Sequence, residues 1–94
     1  MQKSTHTKEY RALRAELRAL RDKAGLSQRD LAEKLAVPHS WVAKVEAGER
    51  RIDVVELGWF AAACGEDAAS LISRLYDRNG KKNPTARGRG GHSS

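Results

Sequence analysis

Single glycines at positions 25, 48 and 65 interrupt a stretch, residues 9–78, in which apolar side chains otherwise recur every three or four positions. That spacing is the period of one helix face. A glycine at the end of such a run is where a helix stops through a left-handed residue. The chain is therefore confined to short helices that must bury their stripes against one another. No segment alternates with period two, and aromatics make up only 5% of 94 residues, so the core has to come from Leu, Val, Ile and Ala. An all-α domain fits that supply better than a β-sandwich, and the length allows one domain at most. The lone Cys64 and three scattered histidines exclude a disulfide framework and a Cys/His zinc site. The longest apolar run, residues 57–64, is far short of the ~20 residues of a membrane span.

Five helices are expected. Tyr10, Leu13, Leu17, Leu20 and Ala24 form the stripe of the first, closed by Gly25. Ser27 is the N-cap of the second, with Asp30 three residues on, and this helix, residues 28–35, buries Leu31, Ala32 and Leu35. A turn of three residues, 36–38, leads to the third, which runs to about Ala47 with Val42 and Val45 inward and Gly48 as its end. Asp53 and Glu56 make a capping-box-like pair opening the fourth, whose buried face is expected to be Val54, Leu57, Phe60, Ala61 and Cys64. Of Trp59 and Phe60, one ring should face the core and the other a partner surface. Asp67 caps the fifth, which carries Leu71, Ile72, Leu75 and Tyr76 and ends near Asn79-Gly80.

Residues 1–8 are expected to be a flexible arm, 9–78 the folded domain, and 79–94, rich in Gly and basic side chains without one acid, a disordered basic tail. Nothing in the polar arm has the apolar stretch of a signal peptide, so a cytoplasmic, nucleoid-associated protein is expected. The net charge of +6 resides in the two tails, where Lys3, Lys8, Lys81, Lys82, Arg87 and Arg89 face no acid. Within 9–78 the balance is zero but polarised. Residues 11–51 hold ten basic against six acidic side chains, and residues 53–78 two against five. Such a dipolar domain would turn its first half to a polyanion and leave its second half for a protein partner.

Two short helices joined by three residues must cross steeply, so that one can lie across a DNA backbone while the other enters the major groove. At Arg21, Gly25-Leu26-Ser27-Gln28, Leu31-Ala32, Val42, Val45-Glu46, Gly48 and Leu57, the chain resembles the Cro/C1-type (XRE-like, phage-repressor-like) helix-turn-helix family over residues 17–67. The resemblance implies a compact five-helix, lambda-repressor-like domain. It also implies roles: Gln28 for a phosphate while steadying the recognition helix, His39, Ser40 and Lys44 for base edges, and Arg21 with Glu46 for a structural salt bridge. Residues 49–51 would lie where the family makes main-chain and basic phosphate contacts. Chemistry adds that Lys44 can donate to guanine, His39 can donate or accept, and Arg29, Arg50 and Arg51 suit phosphates. Trp41 either faces the DNA backbone or covers the junction of the second and third helices. Two positions depart from the family pattern. Ala36 stands where the turn usually has glycine, and Pro38 where the third helix usually has a Ser or Thr cap.

A sequence-specific transcription regulator, a repressor acting as a homodimer on a palindromic operator, is the expected function. Its dimer interface would use Ile72, Leu75 and Tyr76 together with the fourth helix. The alternatives are an antitoxin-type protein bound to a toxin and an adaptor that binds another regulator without reading DNA. No Gly-rich phosphate loop, catalytic triad spacing or paired-carboxylate pocket suggests an enzyme, and no cofactor or metal is expected. Cys64, with nothing basic beside it in sequence, is expected to be an inert core residue.

Overall fold

The computed structural model describes residues 7–79, which form five helices: α1 Lys8–Lys23, α2 Gln28–Leu35, α3 His39–Ala47, α4 Val54–Ala63 and α5 Ala68–Asn79. Among the described residues there is no strand. Residues 1–6 of the expected arm and 80–94 of the expected tail lie outside them. The helix begins one residue before the expected boundary, because the Thr7 hydroxyl accepts the Tyr10 N–H at 3.0 Å and caps α1 at Lys8.

Each helix starts and stops for a local reason. Ser27 and Asp30 exchange hydrogen bonds in a capping box on α2, and Asp53 and Glu56 do the same on α4. Asp67 accepts the Ser70 N–H at 2.8 Å at the head of α5. Gly25, Gly48 and Gly65 all take the left-handed conformation anticipated for them. So does Ala36, at φ 58°, the only non-glycine residue with positive φ among those described.

Every helix contributes to one core, through Leu17 from α1, Leu31 from α2, Val42 and Val45 from α3, Phe60 from α4 and Leu71 from α5, all fully buried. Fully burying each such side chain is worth about 1.5–3 kcal/mol, so these residues dominate the cohesion of a domain this small. α1 is the shared element: α3 packs on α1 and α2, while α5 packs on α1 and α4. Arg74 of α5 fastens the far side, with a bidentate bond to Glu66 at 2.9 Å and a contact to Glu16 of α1 at 3.2 Å.

Helix four departs from expectation at its first residue. Val54 is 72% exposed, because Asp53 sets the first turn so that Leu57, Phe60 and Ala61 point inward and Val54 does not. Cys64 is half-buried, and burial pushes its thiol pKa up, consistent with an unreactive side chain. Phe60 is the ring that faces the core and Trp59 the one left exposed.

Two of the four left-handed positions, Ala36 and Gly48, give opposite expectations. At Ala36 a glycine removes a steric cost of about 1–2 kcal/mol against a smaller loss of chain entropy. A36G should therefore raise stability by about 0.5–1 kcal/mol and the melting temperature by several degrees. At Gly48, also left-handed, a Cβ would in addition collide with the Arg14 guanidinium, so G48A should cost about 2 kcal/mol or more in a urea melt.

Hydrogen bonds from backbone amides lower the carboxyl pKa of Asp30 and Asp67, and guanidinium contacts from Arg50 and Arg74 lower those of Glu56 and Glu66. A depressed folded-state pKa stabilises above the ordinary carboxylate range and ceases to do so as pH falls through the folded values. Melting temperature should be flat above about pH 5 and decline steadily from there toward pH 2.5.

Candidate nucleic-acid interface

Helix α3 has two different sides. Val42 and Val45 are fully buried, while His39, Ser40 and Lys44 are exposed. Ser40 and Lys44 lie one turn apart, and His39 opens the first turn beside them. A donor-acceptor imidazole, a hydroxyl and an ammonium thus share the outer side of a nine-residue helix, an arrangement able to hydrogen-bond base edges. Arg29 is exposed in the first turn of α2.

The back of the same helix is held by charge. Glu46 accepts from Arg21 Nε at 2.6 Å and from Arg21 Nη2 at 2.9 Å, and its Oε1 also accepts from Gln28 Nε2 at 3.0 Å. Arg21 Nη1 donates to the Leu26 carbonyl at 2.8 Å. With side chains 8% and 6% exposed, Arg21 and Glu46 form a buried bidentate pair, and the Glu46 contact raises the Arg21 pKa. The structure therefore brings Gln28 into this network, as a strut between α2 and α3. The anticipated Arg21–Glu46 pair is present.

Two further clamps were not legible as site residues. Arg14 Nη1 donates to the Ala47 carbonyl at 2.6 Å, at the end of α3. The Ile52 N–H donates to the Tyr10 hydroxyl at 2.9 Å, fixing the segment after α3 to α1. The available signal was the spacing Tyr10–Arg14–Leu17–Arg21, which sets two arginines alongside an apolar stripe. Arginines so placed bury their stems and seek carbonyl or carboxylate partners.

After Gly48 the chain folds back on α3, with the Glu49 and Arg50 N–H groups donating to the Lys44 carbonyl at 2.9 and 3.2 Å. Arg50 pairs both Nη atoms with Glu56 at 3.1 Å, donates to the Arg51 carbonyl at 2.9 Å, and stacks 5.3 Å from the Trp41 ring centre. The Glu56 contact raises the Arg50 pKa and the Arg50 contact lowers that of Glu56. Trp41 is half-buried against the core, with Arg50 on its face. Arg51 is exposed, its guanidinium 5.5 Å from the Tyr10 ring centre.

The residues expected at a dimer interface are placed unequally. Tyr76 is 46% exposed and Ile72 is half-buried, but Leu75 is 7% exposed and belongs to the core. Helix α5 needs it inward because Leu71 and Leu75, one turn apart, make up its buried stripe. Exposed apolar surface is found instead on α4, at Val54, Val55 and Trp59.

The pairing of α2 and α3 through a three-residue turn, with a polar outer face on α3, defines a helix-turn-helix domain. A helix-turn-helix family model matches residues 12–74. Among solved structures, the chain is similar to an XRE-family like protein from Pseudomonas syringae pv. tomato str. DC3000, with 39% identity, 80% of this chain and 92% of that chain covered, and a TM-score of 0.75. No curated protein sequence matches. The chain belongs to the XRE-like helix-turn-helix family, a fold of DNA-binding regulators that are typically non-enzymatic.

Removing one member of the buried pair strands the other. Arg21→Ala should destabilise the domain by about 3–5 kcal/mol in a denaturant melt, a large part of what a domain this size has. Gln28→Ala, which leaves Arg21 on Glu46, should cost about 1 kcal/mol.

Proposed function

We propose that the protein is a sequence-specific transcriptional repressor that reads DNA with α3 in the major groove. The observation that carries this reading is the two-sided character of α3: its inner side is fixed by Val42, Val45 and Glu46, while His39, Ser40 and Lys44 stand outward. A base-reading helix needs both, because discrimination between bases is lost if the donors are free to drift. Lys44 would donate to guanine O6 or N7, and His39 and Ser40 would contact neighbouring edges. Arg29, Gln28 and residues 49–51 would hold phosphates and fix the register.

One such helix reads only a few base pairs, so useful specificity calls for a homodimer on a palindromic operator with half-sites about 34–36 Å apart. The exposed Val54, Val55 and Trp59 of α4 and Tyr76 of α5 offer the apolar surface for that association. Repression would follow from occupancy of a promoter, placing the protein at the nucleoid in the cytoplasm.

Selection of random duplexes by the purified protein tests the whole reading at once. A two-fold symmetric consensus is expected; recovery of unrelated sequences would remove it. On the selected duplex, Lys44→Ala should cost about 1–3 kcal/mol and relax one position of each half-site. Arg29→Ala should instead weaken all duplexes alike and flatten the salt dependence by about one unit per protomer. Equal, sequence-independent losses from both would refute the assignment of α3 to base reading.

A further inference from the structure

Arg50 sits where the domain would meet DNA, yet its guanidinium is already engaged by a carboxylate of its own chain. The segment carrying it folds back beneath Lys44, and its guanidinium carbon lies over the ring of Trp41, a residue of the reading helix itself, 5.3 Å from the ring centre. Both Nη atoms face the two oxygens of Glu56 at 3.1 Å. A phosphate offers the same two-pronged acceptor as a carboxylate, so a DNA phosphate and Glu56 compete for one fork. The Arg50 side chain is 40% exposed, open enough for a phosphate to approach.

We propose that Glu56 is a positioning residue that holds Arg50 in reserve, and that Arg50 exchanges Glu56 for a phosphate when duplex DNA docks. The inference rests on the DNA-binding reading above. Trp41 serves as the fixed platform across which the guanidinium turns, keeping its plane while its partner changes. Glu56 does not lose its own anchorage in the exchange. Its Oε1 also accepts the Asp53 N–H at 3.0 Å, and its own N–H donates to Asp53 at 2.8 Å, so the α4 capping box keeps the carboxylate in place. The consequence is a brake on sequence-independent affinity. One cation of the phosphate-facing loop is neutralised in the free protein, and each docking must break the pair before that cation acts.

The substitution E56Q tests this, because glutamine retains the Oε1 acceptor for Asp53 while removing the charge and replacing Oε2, the acceptor of Arg50 Nη2, by an NH2 donor. E56Q should tighten binding to specific and non-specific duplexes alike by about three- to tenfold and leave the slope of log K against log salt unchanged, because Arg50 holds a phosphate in both complexes. In an Arg50→Ala background the same change should have less than a twofold effect and leave the slope alone. An equal gain in both backgrounds would mean that Glu56 acts only as a nearby negative charge, and would overturn the exchange. No change in affinity on E56Q would overturn it as well, and so would a slope steeper by about one per protomer, since Arg50 would then stay on Glu56 in the wild-type complex.

A second readout uses the wild-type protein and does not depend on how the variants fold. Proton–phosphorus correlation on the selected duplex should link the Arg50 guanidinium to a backbone phosphate. A guanidinium still bonded to Glu56, with no phosphorus neighbour, refutes the proposal. Failure of the wild-type protein to retain any duplex would instead refute the DNA-binding reading, and the two failures are separately visible.

Discussion

The carboxylate of Glu46 is the constraint from which the rest of the interface follows. It sits on the inner side of α3, 6% exposed, and three N–H donors from two other helices converge on its two oxygens. Apolar contacts at Val42 and Val45 hold α3 against α1 and α2, but such contacts are non-directional and tolerate small rotations. Hydrogen bonds of 2.6 and 2.9 Å to a planar guanidinium do not. The pair thus sets the rotation of α3 about its own axis. That rotation decides whether Lys44 and Ser40 face outward. A buried ion pair is a poor source of net stability, because its desolvation offsets most of its attraction. Its value here is geometric, and the Leu26 carbonyl and the Gln28 amide complete its hydrogen bonding so that little is left unsatisfied.

The same logic explains which features could be read from the sequence and which could not. Helix ends were legible because they depend on local chemistry: Ser27 with Asp30, Asp53 with Glu56, and the glycines at 25, 48 and 65 act within a few residues of themselves. The salt bridge was legible only through family resemblance, since residues 21 and 46 are far apart in sequence. The exposure of Val54 is not legible, because periodicity fixes the spacing of a stripe but not its phase at the first turn, which the Asp53 cap decides. The burial of Leu75, expected at a dimer interface, is hidden from the sequence for a related reason. Four apolar residues on α5 do not reveal which of them the neighbouring α1 and α4 will cover. The roles of Arg14, Tyr10 and Arg50 depend on partners more than thirty residues away, or on an α4 carboxylate already assigned to a cap.

Charge is organised by the same economy of long side chains. The first half of the domain is basic by residue count, but several of its arginines are committed inside the molecule. Arg21 is buried on Glu46, Arg14 reaches the end of α3, and Arg50 faces Glu56. Counting basic residues therefore overstates the field that DNA would meet. Arginine does this work better than lysine, because a planar fork can satisfy a carboxylate and a carbonyl together, as Arg21 does with Glu46 and Leu26.

Helix α3 itself is weakly specified by its own residues. It has nine residues, its N-cap is Pro38 with no side-chain hydrogen bond, and the residue opening the turn before it, Ala36, is in a conformation that favours glycine. An isolated helix of that length has too few bonds to offset the cost of nucleation. Its order comes from behind and below: from Val42 and Val45 in the core, from Glu46 in the α1–α2 network, and from Arg14 and Gly48 at its end, where the absence of a Cβ lets the guanidinium reach the Ala47 carbonyl. The reading surface accordingly exists only while the whole domain is folded. Stability and recognition are then one property in this chain. Substitutions that never approach a base, at Arg14, Arg21 or Gly48, act on recognition through the fraction of molecules in which α3 is a helix at all.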